Sequence, residues 1–169
     1  MRTGAGTLAF SRVFAALTLS VGLLALAGCA SDPGIARPSP TSSVSPRDPA
    51  AYAAQIVQGT NEVRRAKGLP TLGGSTCAQA AALQRASALI GKAELTHAPL
   101  GGVIADCASG TTAAENLSKA AATPAAVIDA WMHSPGHRSN LLDPGLTEVG
   151  VGCVLDGKSM LCSQVFLGP

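Results

Sequence analysis

His133 and His137 stand four residues apart, a spacing that on a continuous helix would turn two imidazoles to one face, ready for zinc. Pro135 and Gly136 lie between them and interrupt any such helix. The residue after His133 is Ser134, so the general-base glutamate of a helix-borne zinc protease is absent too. Ser134 and Ser139 flank His137 and are the nearest candidates for a hydroxyl nucleophile with a histidine base. That chemistry also needs an orienting acid and oxyanion donors, and no Gly-x-Ser-x-Gly elbow occurs in the chain. Ser134 before Pro135 has a sufficient structural explanation as a helix cap.

Cys77, Cys107, Cys153 and Cys162 form the second chemical set. No two of them have the two-to-four-residue spacing of zinc motifs, so disulfides are the reading wherever the chain meets oxidising conditions. Four cysteines allow three pairings. Cys153 and Cys162 flank the turn-like Asp156-Gly157-Lys158-Ser159, which places them opposite each other and leaves Cys77 for Cys107. Closing the longer loop should stabilise the fold by about 3–4 kcal/mol on a chain-entropy basis.

The start of the chain speaks for export. Arg2 and Arg12 precede an almost uncharged apolar run from Val13 to Gly28, too short and wrongly flanked for a spanning helix. Leu26-Ala27-Gly28-Cys29 resembles the lipobox of bacterial lipoproteins. That resemblance implies cleavage before Cys29, a diacylglycerol on its sulfur and palmitate-type acylation, hence durable attachment to the cell membrane. Three segments are expected: a signal peptide at 1–28, a lipidated Cys29 with a disordered Ser/Pro-rich tether at 29–49, and one folded domain at 50–169. Loss of Arg2 and Arg12 takes the basic residues from 12 to 10, equal to the 10 acidic ones. A neutral chain with scattered basic residues excludes nucleic acid as a partner, and Arg64, Arg65 and Lys67 read as a solvated helix face.

The elements that must position these groups follow from the pattern of caps and apolar residues. Asp48 and Pro49 predict the start of a helix over 49–67, stopped at Gly68. A second helix is expected over 76–90, with Ala80, Leu83, Ala86 and Ile90 along one side and Gly91 as its stop. Thr123-Pro124 opens a third, with Val127, Ile128 and Trp131 on its apolar face, and Ser134-Pro135 ends it and starts a further turn. Glu148 to Leu155 and Ser159 to Phe166 predict a hairpin.

Several segments, in order, resemble one family. They are Asn61-Glu62-Val63-Arg64 leading to Gly68, Thr96-His97, Ala114-Glu115-Asn116-Leu117, the long run from Ala130 through Trp131 and His137 to Leu142, and Thr147-Glu148-Val149-Gly150-Val151-Gly152. The chain resembles the CAP superfamily of cysteine-rich secretory, antigen 5 and pathogenesis-related proteins, in its short bacterial SCP-like form. The resemblance implies an α+β fold, a three-layer α-β-α sandwich with a central, mainly antiparallel sheet. It also implies a surface cleft at His97, Glu115 and His137. The second acid of the eukaryotic pattern falls on Ser134, a departure that weakens a metal centre.

Two imidazoles and one carboxylate suit zinc or another divalent cation and leave a coordination position open. The competing role for His97, Glu115 and His137 is a hydrogen-bonded network that pins loops, and it weighs more. Asn61 and Arg64 read as structural, Trp131 as core, Asn116 as a loop tie and Glu148 as a surface acid. The leading function is a monomeric, non-enzymatic envelope-binding module for a lipid, a sterol-like molecule or another envelope ligand, with hydrolysis of a peptide or envelope polymer as the alternative.

Overall fold

A computed structural model describes residues 47–107 and 111–169. The segments expected to be a signal peptide and a tether, with Cys29 between them, lie outside the described residues up to residue 46. Helix α1 (Pro49–Ala66) begins where Asp48 accepts hydrogen bonds from the Ala50 and Ala51 amides, with proline in the first turn. Gly68 follows in the left-handed region, at φ 73°, and turns the chain away. The two-residue strand β1 (Gly73–Gly74) leads to α2 (Thr76–Ala88), then α3 (Gly101–Cys107) and strand β2 (Thr112–Ala120). Helix α4 (Pro124–His133), capped by Thr123, passes through Ser134 to α5 (Pro135–Leu142). The chain closes with the hairpin β3 (Glu148–Asp156) and β4 (Ser159–Gly168), joined at Gly157 with φ 63°.

The strands lie in the order β1-β3-β4-β2. β4 is antiparallel to both neighbours, and only the short β1 runs parallel to β3. Alternation along β4 divides the core between two faces. Met160, Cys162 and Phe166 pack with Tyr52, Ile56, Val127, Ile128, Trp131 and Leu141 of the α1, α4 and α5 layer. Val165 and Leu167 pack with Ala78, Ala82, Val103 and Cys107 of the α2 and α3 layer. The expected α-β-α sandwich with its mainly antiparallel sheet is therefore the observed fold.

Both disulfides join the expected partners. Cys153 and Cys162 are direct cross-strand neighbours in the hairpin. Cys77–Cys107, thirty residues apart, ties α2 to α3. Among the described residues no helix is long and apolar enough to cross a membrane.

Four expectations need correction. Helix α2 ends at Ala88, and its buried face is Ala78, Ala82 and Ala86. Leu83 and Ile90 are about half exposed, because the side chains that fit against β3 must be small: Gly150 and Gly152 lie directly under the backbone of Gln79 and Leu83. Strand β2, which carries Asn116, had no sequence signal as a strand. Arg64 is no part of a solvated face; it is 1% exposed. Its guanidinium donates to the carbonyls of Pro70 (2.8 Å), Leu141 (3.0 Å), Asp143 (2.9 Å) and Leu146 (3.3 Å). Finally, Ser134 occupies the position before α5 without a side-chain capping bond.

Candidate functional site

Glu115 sits in β2, which places its side chain on the α2 face of the sheet, while its neighbour Asn116 faces α1 and α5. The Glu115 side chain is 1% exposed. Arg85, on the last turns of α2, reaches it with two nitrogens: Nε donates to Oε1 at 2.6 Å and Nη2 to Oε2 at 2.8 Å. Ser163 of β4 donates to Oε1 at 2.7 Å, and His97 Nδ1 meets Oε2 at 2.7 Å. Burial pushes the Glu115 carboxyl up. The hydrogen bonds from Arg85, Ser163 and His97, with the Arg85 charge, outweigh it, so the group is held below its ordinary value and is ionised at neutral pH.

An ionised Glu115 accepts only, so the proton between it and His97 belongs to His97 Nδ1, which leaves Nε2 as the ring nitrogen not turned to the carboxylate. The His97 side chain is 55% exposed. Arg85 also donates to the carbonyls of Ala98 (2.7 Å) and Pro99 (3.3 Å), which fixes the loop just after the histidine.

His137, on α5, belongs to a different hydrogen-bonded network. Its Nδ1 lies 2.9 Å from Ser134 Oγ, and its ring stands 6.1 Å from that of Trp131. Burial, followed by the charge of His97, lowers its proton affinity. The link to Glu115 runs through β2: Asn116 Nδ2 donates to the His137 carbonyl at 3.3 Å, and Asn140 Nδ2 to the Glu115 carbonyl at 3.1 Å. Asn140 also donates to Asn116, Asn116 to Gln164, and Gln164 to Thr60. Thr60, Asn116 and Gln164 are wholly buried.

The cleft therefore joins His97 directly to Glu115, while His137 and Ser134 adjoin it through the strand. Among the described residues no group of three His, Cys, Asp or Glu side chains is placed to hold a metal ion. The set His97, Glu115 and His137 does not fit one, since both Glu115 oxygens are occupied by Arg85, Ser163 and His97. Sequence reasoning did not single out Arg85 or Ser163. Arg85 left one trace, as the lone charged residue in the alanine-rich helix Thr76–Ala88.

Beside this cluster a recess of about 970 Å³ opens between α2 and the segment that runs through α3. Ala80, Ala81, Ala88, Leu89, Pro99 and Val103 supply apolar wall, the Cys77–Cys107 bridge lines one side, and Arg85, His97 and Glu115 contribute polar atoms. Its size falls in the range of small-molecule sites.

The described residues thus form a layered α-β-α domain with two disulfides and an imidazole-carboxylate pair beside the sheet. The cysteine-rich secretory protein family model, CAP, matches residues 57–166, and the chain belongs to that family. It is 33% identical over 142 residues to the uncharacterized protein YkwD of Bacillus subtilis (strain 168), a match covering 80% of this chain and 54% of that protein. The chain thus spans about half the length of this relative. An extracellular protein containing an SCP domain from Bacillus anthracis superposes with a TM-score of 0.63 at 26% identity, over 71% of this chain and 41% of the other. A cysteine-rich secretory protein of Staphylococcus aureus gives 0.62 at 27% identity, over 72% and 40%.

Proposed function

We propose that this chain is an extracytoplasmic, membrane-anchored binding module whose recess takes an amphiphilic envelope ligand, with its hydrocarbon against the alanine-lined walls and its polar end at His97. The recess itself carries this reading: apolar walls, one half-exposed imidazole oriented by a buried carboxylate, and a disulfide holding α2 to α3. A fluorescent long-chain fatty acid is expected to bind saturably. Ala80→Trp, on the exposed flank of α2 that lines the recess, should weaken binding by roughly tenfold or more while leaving the circular dichroism spectrum unchanged. Equal affinity in the two proteins would remove the recess as the site.

A hydrolase is the second reading, favoured by the 2.9 Å contact between Ser134 Oγ and His137 Nδ1. Glu115, the acid of the cluster, is engaged by Arg85, Ser163 and His97, and neither Ser134 nor His137 lines the recess. The binding reading expects a fluorophosphonate probe to leave Ser134 unmodified, and stoichiometric labelling there would favour the hydrolase.

Anchoring rests on Cys29 at the lipobox-like segment. Cells fed radiolabelled palmitate should label the natural protein and not Cys29→Ser. Equal incorporation would end the anchor proposal.

A further inference from the structure

We infer that Arg85 is the resident cation of the His97–Glu115 cluster, and that the cluster works without a metal. A carboxylate offers about four lone-pair directions to donors or ions. In Glu115 all four are taken: Arg85 Nε at 2.6 Å and Ser163 Oγ at 2.7 Å on one oxygen, Arg85 Nη2 at 2.8 Å and His97 Nδ1 at 2.7 Å on the other. An incoming divalent ion would have to displace one of these and then sit beside a guanidinium charge in a buried setting, where like charges repel strongly. The same nitrogen of His97 that meets Glu115 is also lost to coordination.

Arg85 does structural work that a metal does elsewhere, since it neutralises the buried carboxylate and draws separate chain segments together. Through Ala98 and Pro99 it fixes the loop that carries His97, and through Glu115 it fixes that loop to β2. It is thus a positioning residue for the recess, whose floor carries a balanced pair of charges and no demand for metal. The inference holds whether or not the recess takes an amphiphile.

The test is titration of the intact, disulfide-bonded protein, stripped with chelator, with cobalt(II) and zinc(II), read by cobalt d–d absorption and calorimetry. The natural protein should show no one-to-one binding in the micromolar range, and zinc should leave its melting temperature unchanged. Arg85→Met should acquire one-to-one cobalt binding at least tenfold tighter, of the order that ligand-shell changes produce, and Glu115→Gln in that background should abolish it. Stoichiometric binding by the natural protein that His97→Ala removes would overturn the inference. So would a folded Arg85→Met protein that binds no cobalt. If Arg85→Met does not fold, the natural protein decides: an unchanged melt with zinc supports the inference and a raised one refutes it.

Discussion

Replacing Glu115 by alanine is expected to lower the unfolding free energy by about 3–5 kcal/mol, the usual cost of removing one partner of a buried ion pair. The loss is large because the Arg85 side chain, 11% exposed, keeps its charge and its position with nothing to balance it. Ser163 Oγ and His97 Nδ1 lose their acceptor at the same time. Urea unfolding of Glu115→Ala, Arg85→Met and the double variant should show strong non-additivity, with the double variant far more stable than the summed losses. Additive losses would mean that the two groups do not act as a pair.

Acid should act on both networks in turn, that of His137 and that of Glu115. His137 has a folded proton affinity below its ordinary value of 6.5, so the unfolded chain takes up the proton first and stability declines as the pH falls below about 6.5. Glu115 has a folded value below its ordinary 4.5, so its contribution is complete above that value and is lost as the pH falls further, through the folded value. Glu115→Gln should flatten the second decline and leave the first.

The second large effect is expected at Gly150 and Gly152. A Cβ on Gly150 would overlap the Gln79 amide, and one on Gly152 the Leu83 amide, both far inside van der Waals contact. The obstacle in each case is helix backbone, so α2 as a whole would have to lift from β3. Each alanine variant should lose about 3 kcal/mol or more, at the upper end for overpacked sites. Gly136→Ala, where a Cβ meets nothing within 4 Å, should be close to neutral. Denaturation midpoints would separate the cases, and a neutral Gly152→Ala would contradict the close α2–β3 contact.

Those glycines also explain where sequence reasoning stopped. Caps are local signals, so Asp48-Pro49 and Thr123-Pro124 could be read directly, as could the hairpin and the pairing of Cys153 with Cys162. The buried side of α2 could not, because it is fixed by a partner strand some seventy residues away that admits only alanine against glycine. Leu83 and Ile90 suggested the wrong face because size ordinarily marks the core. Strand β2 was hidden for a related reason. Its inward residues include Glu115 and Asn116, whose burial depends on Arg85, Ser163, Gln164 and Asn140, and no periodicity of apolar residues records such polar partners. His97 and Glu115 were legible through resemblance, and the guanidinium that completes their cluster was not.

Arg64 has a consequence of another kind. Its four acceptors, at Pro70, Leu141, Asp143 and Leu146, are all main-chain oxygens. Main-chain atoms persist whatever amino acid is encoded, so mutational drift at those four codons spares the hydrogen bonds, and among the four only Asp143 adds a side-chain charge that favours the guanidinium. A lysine there would bring three donors from a single nitrogen in place of a planar fork reaching four separate oxygens.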